Sequence, residues 1–257
     1  MLKKKYKKSK YRKCIKNFIK YRDPDYDRVE YLVLDDRKMV LIVLSKVACT
    51  SIKVAIGKSY GIGRNFESGL DIHTQSGWHK EYGGNHPSYG DNFYAVFVRD
   101  PFSRLVSCYK DRILYSGERE GHQDYYFNNY PVELPANISF EEFVERVVEI
   151  PAYLADRHFK SQSYSIYRRS KKNHPDFIGK FETIQDDWSV LARKFGFRET
   201  LGQLNPSKPR NAVVESDYRK YYNAKTLALV HDKYSDDVEL LGYKDAYLKL
   251  RQFVSDA

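Results

Sequence analysis

Lys46, Thr50 and Ser51 close one apolar run of the chain, and Arg99, Ser103 and Ser107 close another. A mobile ammonium beside hydroxyls, and a planar guanidinium followed by hydroxyls one helical turn apart, are residue types that hold phosphate groups. The first set lies in MVLIVLSKVACTSIK (Met39 to Lys53) and the second in FYAVFVRDPFSRLVSCYKDR (Phe93 to Arg112). Each stretch reads as a strand, a tight turn and a helix start. Val40 to Leu44 has the bulky apolar character of a strand buried on both faces, and Ser45 to Ser51 is small and polar before helical spacing resumes. At such a turn several N–H groups lack helical partners and point the same way, and the helix dipole adds positive potential. In the second stretch the strand Tyr94 to Val98 brings Arg99 to its carboxyl end. Pro101 can open a helix there, and Ser103 to Tyr115 has apolar positions at helical spacing. Arg99 alone would read as a surface ion pair with Asp100 or Asp111. Two phosphate-shaped turns in one chain change that balance, and they read as halves of one nucleotide-phosphate cradle.

The first turn departs from the loop of nucleoside triphosphatases. It lacks the G-x-x-x-x-G-K-[ST] spacing, and its Lys precedes the turn. An ordinary ATP loop is therefore disfavoured, although a nucleotide-dependent kinase stays as an alternative. The run YLVLDD (Tyr31 to Asp36) has the form of an acidic strand for magnesium, but it reads more simply as a strand ending in a turn. No cluster of carboxylates and no Cys/His ligand spacing is written in the chain, so no metal is expected.

SKVACTSIK, then FVRDPFSRLVSCYKDR, and later DFIGKFETIQDD resemble the Golgi carbohydrate sulfotransferases of the chondroitin and HNK-1 type and their bacterial relatives, over most of residues 40 to 243. The resemblance implies a P-loop-like, three-layer αβα single domain. It also implies a sulfuryl donor, 3′-phosphoadenosine 5′-phosphosulfate (PAPS), and a carbohydrate acceptor. Carried over onto this chain, Lys46, Val47, Ala48, Cys49, Thr50 and Ser51 hold the 5′-phosphosulfate, and Arg99 and Ser107 hold the 3′-phosphate. Ser207 and Lys208 in the turn NPSKPR (Asn205 to Arg210) are placed where relatives close a loop over the nucleotide. Ser45 stands where many relatives have Pro, a change that affects the rigidity of the turn. Moving a sulfuryl group in line demands stabilisation of charge on the departing bridging oxygen, which a Lys and a ring of amides supply. The sulfuryl group carries one negative charge, so a magnesium clamp is not obligatory.

A sugar hydroxyl becomes a good nucleophile when His, Glu or Asp takes its proton. Residues Gly57 to Asp91 are rich in glycine and hold His73, His79 and His86, a composition suited to an irregular segment lining a site. His86 is the first choice as base, because relatives place a His ahead of the strand that carries the Arg. His73, His79, His158 and Glu182 are the other candidates. ADRHFKSQ (Ala155 to Gln162) resembles the family's Asp-Pro-His-Trp-x-Pro-Gln stretch, with Arg157 and Phe159 in place of Pro and Trp. It reads as either an acceptor contact or a brace for the core.

These motifs need a scaffold. At 257 residues and 42% apolar content the chain can bury a full core. Strands alternating with helices predict a mainly parallel sheet, with ligands outside the strands' carboxyl ends, where both Lys46 and Arg99 fall. Asp176 to Glu182 reads as a third core strand, followed by a helix capped by Thr183 that carries Trp188, Leu191, Ala192 and Phe195 and stops at Gly196. Ser139 and Glu142 form a capping-box signature ahead of an apolar stripe at Phe140, Phe143, Val144, Val147 and Val148. Helices around Tyr218 to Tyr222, Lys225 to Tyr234 and Lys244 to Val254 read as cover for the sheet. The 23 tyrosines suit sugar stacking and ordinary packing equally.

The net charge of +10 is an arm rather than a face. Residues 1–22 hold eleven Lys or Arg and no acid, whereas the other 235 residues balance 33 bases against 34 acids. A neutral body excludes a surface that tracks nucleic acid. Tyr11, Ile15, Phe18 and Ile19 recur at helical spacing in the arm, which suits both an amphipathic helix on an anionic membrane and a solvated tail. The arm (1–22) therefore precedes a sulfotransferase-like domain (23–257). Cys14, Cys49 and Cys108 are expected as free thiols of a reducing compartment. The animal relatives are Golgi-anchored, and no run here approaches the roughly 20 apolar residues of a membrane span. A bacterial or viral cytoplasmic form, peripheral at the inner membrane face, is the resulting expectation. A non-catalytic glycan- or polyanion-binding protein is the alternative from another class.

Overall fold

The computed structural model describes residues 29–61, 92–114, 138–167, 174–197 and 217–256, the backbone of strand 79–83, and a few positions between. The basic arm, the histidines at 73 and 86 and the NPSKPR turn lie outside the described residues. The chain divides into two compact units, residues 29–100 with 165–208, and residues 101–164 with 209–257 plus the amino-terminal segment.

The first unit is built on a five-stranded sheet. Its strands are β1 (Val29–Leu34), β2 (Met39–Val43), β3 (His79–Gly83), β4 (Phe93–Val98) and β5 (Phe177–Lys180), in the spatial order β3-β1-β2-β4-β5. β2, β4 and β5 are mutually parallel neighbours, whereas β1 runs antiparallel to both β2 and β3. The YLVLDD run is the first arm of a hairpin. Asp35–Arg37 form a single 3-10 turn and Lys38 takes a left-handed conformation (φ 49°), returning the chain so that Leu34 faces Met39. The mostly parallel α/β sheet is thus as expected, with a hairpin added at one side.

β2 and β4 are almost wholly buried, which is why they read as unbroken apolar runs. Helix α1 (Cys49–Ser59) follows β2. Lys53, buried on α1, forms an ion pair with the nearly buried Glu30 of β1 and fastens the helix to the hairpin. Among the described residues β5 is an edge strand rather than a core strand, and Ile178 is 37% exposed. Its glycine has a steric cause. A Cβ on Gly179 would lie 2.5 Å from the Phe97 ring, which crosses it from β4 and also packs edge-on against Phe177. Helix α5 (Ile184–Phe195) lays Trp188 against Phe97 and ends at Gly196 with φ 66°, the left-handed stop predicted. Thr183 occupies the N-cap position but does not cap. Its hydroxyl donates to Asp187 Oδ2 at 2.8 Å, the same carboxylate oxygen that accepts the Lys180 N–H.

The second unit is helical. α2 (Pro101–Tyr109) begins at the proline and runs into a π-helical turn at Lys110–Leu114. α3 (Phe140–Val148) opens with the predicted capping box, Ser139 Oγ accepting from Glu142 N and the Glu142 carboxylate accepting from Ser139 N. α4 (Gln162–Tyr167), α6 (Ala224–Lys233), α7 (Ser235–Leu240) and α8 (Lys244–Ser255) complete it, α4 running on into the first unit. α6 packs on α3 and α8, so these terminal helices build an apolar core of their own with Phe102, Leu105, Phe143, Val147 and Leu250. Tyrosine serves here as amphipathic filler. Tyr109, Tyr222 and Tyr234 are buried, and their hydroxyls donate to the carbonyls of Ile138, Phe102 and Phe159 at 2.8, 3.0 and 2.6 Å.

Candidate nucleotide site

The turn after β2 departs from helix and strand geometry at two non-glycine residues. Lys46 has φ 69° and Ala48 φ 60°, with Val47 between them buried at 1% exposure. Alternating handedness turns successive N–H groups toward one side, the backbone form of an anion-binding nest. Ala48 is the N-cap of α1 and offers no side-chain cap, and no acidic residue stands in the first turn. The first helical hydrogen bond runs from Ile52 N to the Ala48 carbonyl at 3.1 Å, so the amides of Cys49, Thr50 and Ser51 precede it at the positive end of the helix. Lys46, Thr50 and Cys49 are half-buried and Ser51 is buried. Cys49 and Cys108 are free thiols, as expected, and Cys14 lies outside the described residues.

Arg99 emerges from β4, the immediate neighbour of β2. Its Nη1 donates to the Lys46 carbonyl at 3.3 Å, and its guanidinium carbon lies 4.2 Å from the centre of the Phe181 ring. One residue on, Asp100 N donates to Glu182 Oε1 at 2.9 Å. The Lys46 turn and Arg99 thus share one sheet edge, outside the carboxyl ends of adjacent parallel strands, where ligands of such sheets bind. Neither positive-φ residue is a glycine, and the Phe181 ring that stacks on Arg99 does not adjoin it in sequence, so residue pattern alone could not show them.

Ser107 is half-buried on α2, in the helical unit, and the Asp111 carboxylate lies 3.2 Å from Arg112. Ser207, Lys208, His73 and His86 are outside the described residues, and His79 is known by its place on β3. His158 is buried between two partners. Its Nδ1 meets Asp156 Oδ1, which also accepts the His158 amide at 2.8 Å, and its Nε2 lies 2.7 Å from Arg112 Nη2. Arg112 can only donate, so Nε2 carries the lone pair and Nδ1 the proton. Burial lowers the His158 pKa to about 4 against the opposing pull of Asp156, and the ring is neutral near pH 7. Among the described residues no three His, Cys, Asp or Glu side chains gather as a metal site.

The ADRHFKSQ segment is held from all sides within its unit. Arg104, itself buried, donates to the carbonyls of Lys160 at 2.8 Å and Arg157 at 3.0 Å, and Tyr234 donates to that of Phe159. Asp237, wholly buried, accepts from the amides of Gln162 and Ser163 and the hydroxyls of Ser161 and Ser163, at 2.6 to 2.9 Å.

Sequence comparison places the chain among known proteins. Residues 29–244 match the family model described as Sulfotransferase family. Carbohydrate sulfotransferase 12 of Xenopus laevis is 26% identical over 84% of this chain and 60% of its own length. Carbohydrate sulfotransferase 9 of Homo sapiens is 26% identical over 60% of this chain and 38% of its own length. Carbohydrate sulfotransferase 11 of Rattus norvegicus is 23% identical over 86% and 70%. The chain therefore spans about 60% of the length of the first of these relatives. No solved structure matches.

Proposed function

The chain belongs to the sulfotransferase family, and from that membership we propose that it moves a sulfuryl group in line from PAPS to a hydroxyl of a carbohydrate acceptor. The observation that carries this reading is the hydrogen bond from Arg99 to the Lys46 carbonyl, which joins two cationic strand ends on one sheet edge. A 3′,5′-bisphosphorylated adenosine is anionic at both ends and needs two such sites on one side of a sheet, so these residues fit it.

When bound, PAPS supplies an activated sulfuryl group on a phosphate leaving group. The amides of Cys49, Thr50 and Ser51 and the ammonium of Lys46 hold the 5′ end. Lys46 opposes the charge that grows on the bridging oxygen as the bond breaks. The planar fork of Arg99 holds the 3′-phosphate, with Ser107, Ser207 and Lys208 as further ligands. His86 takes the acceptor's proton. The carbohydrate class of the acceptor follows the relatives, which are carbohydrate sulfotransferases. The basic arm, residues 1–22, keeps the enzyme on an anionic membrane at the cytoplasmic face. Equal flotation with anionic liposomes of the full chain and of a chain lacking the arm would remove that last reading.

Thermal shift with 3′-phosphoadenosine 5′-phosphate (PAP) against ATP tests the donor, and labelled PAPS with a panel of desulfated glycans tests the transfer. The expected result is a larger shift with PAP, and transfer that Lys46→Ala slows about a hundredfold or more. A larger shift with ATP would favour a kinase, and glycan binding without transfer would favour a non-catalytic binding protein.

A further inference from the structure

The register of β5 on β4 pairs Phe97 with Gly179 and Val98 with Lys180. Continued past the strand ends, it sets Arg99 beside Phe181 and Asp100 beside Glu182, and contacts form at both positions. We propose that Phe181 and Glu182 are positioning residues that hold the Arg99 guanidinium for a 3′-phosphate, and so set the preference of the site for a 3′-phosphorylated nucleotide. The inference rests on the PAPS reading and extends it to residues that touch no ligand atom themselves.

The argument is geometric. A guanidinium donates hydrogen bonds in its plane and offers its face to aromatic rings. With the Phe181 ring 4.2 Å from the guanidinium carbon, the face is occupied by a group that consumes none of the in-plane donors. The bond to the Lys46 carbonyl then fixes rotation about the stacking axis. Glu182 acts one residue further on. Its carboxylate takes the Asp100 amide and pins the backbone where the strand gives way to the following turn. Two side chains from a neighbouring strand thereby remove freedom from a long, rotamer-rich side chain before any ligand arrives, and preorganisation of this kind raises affinity. The GKFE run of the third motif has one steric logic: Gly179 admits Phe97, which sets the register, and the register delivers Phe181 and Glu182.

The test measures binding of PAP and of adenosine 5′-phosphate, which lacks the 3′ group, to the full chain by calorimetry. Phe181→Leu keeps an apolar side chain of useful size without an aromatic face, and Phe181→Tyr restores the face. The expected result is that Phe181→Leu weakens PAP about tenfold while adenosine 5′-phosphate binding stays within about twofold, and that Phe181→Tyr recovers the wild-type ratio. Glu182→Ala lowers the ratio in the same direction, and Glu182→Gln, which keeps a carbonyl acceptor for the Asp100 amide, restores it. Equal weakening of both nucleotides in Phe181→Leu would mark a merely structural role and overturn the inference. A wild-type preference for PAP that survives in Phe181→Leu overturns it while leaving the PAPS reading intact. A wild type with no preference for PAP overturns both.

Discussion

The Nη1 atom of Arg99 lies 3.3 Å from the carbonyl oxygen of Lys46, so the cation that ends β4 is bonded to the backbone of the residue whose own cation ends β2. In the proposed function the two residues serve different steps: Arg99 would grip the nucleotide equally in ground and transition states, whereas Lys46 would meet charge that develops only as the sulfuryl group departs. Lys46→Ala is expected to lower kcat about 10²- to 10³-fold with a smaller change in PAP affinity. Arg99→Lys should do the reverse, because an ammonium cannot stack flat on Phe181 and grip a phosphate with two parallel bonds; PAP affinity falls about tenfold or more. Initial rates and calorimetry check both. Matching losses of kcat and affinity in the two variants would contradict the division of labour.

Ala48 holds φ 60° with a β-carbon, a conformation that costs an L residue roughly 1–2 kcal/mol. A branched side chain is worse there, so Ala48→Val should lower the unfolding free energy by about 2 kcal/mol and weaken PAP binding along with it. Ala48→Gly should leave stability within about 1 kcal/mol, since relief of strain is offset by a freer unfolded chain. Urea midpoints of the three proteins decide the matter. A valine variant as stable as the wild type would show that the turn tolerates another backbone path.

Much of this arrangement could be read from residue order. Val40 to Leu44 and Tyr94 to Val98 are continuous apolar runs because both faces of β2 and β4 are buried, and polar residues, Ser45 after the first and Arg99 after the second, mark where each run ends. The Ser139 capping box and the Gly196 stop are local chemistry, and both stand as predicted. What was not legible depends on partners distant in the chain. The edge position of β5 is a property of the sheet, not of the strand. Phe181 meets Arg99, and Asp237 meets Ser161 to Ser163, across long intervening sequence that no periodicity bridges. The hydroxyl of Thr183 can accept from the N–H groups of the helix start, as a cap does, or donate to Asp187, and sequence gives no means of choosing between them.

Asp237 binds two amides and two hydroxyls of the segment 161–163 from a fully buried position. Truncation leaves all four donors without this acceptor in a site closed to water. Asp237→Ala should therefore cost about 3–5 kcal/mol of unfolding free energy. Asp237→Asn keeps the shape but turns an N–H₂ toward donors, and roughly 1–3 kcal/mol is expected. Chemical denaturation of both variants against the wild type measures this. A loss under about 1 kcal/mol in the alanine variant would mean that the segment finds other acceptors.

His158 makes stability depend on pH with a definite sign. Burial lowers its pKa to about 4 in the folded protein, against an ordinary value of 6.5. Between these values the unfolded chain takes up a proton that the folded protein does not. Unfolding is therefore favoured as pH falls from 6.5, and the effect saturates once the folded ring also protonates, near pH 4. The whole difference amounts to about 3 kcal/mol, at 1.36 kcal/mol for each unit. Protonation would also set a charged ring against Arg112, 2.7 Å from its Nε2. Carboxylates titrate over part of the same range, so the informative comparison is with His158→Asn, whose amide still donates to Asp156 and cannot gain a proton. Urea unfolding at pH 7.5 and pH 4.5 should show the wild type losing roughly 2 kcal/mol more than the variant over that interval. Parallel losses would mean that the ring reaches solvent and titrates normally in the folded protein.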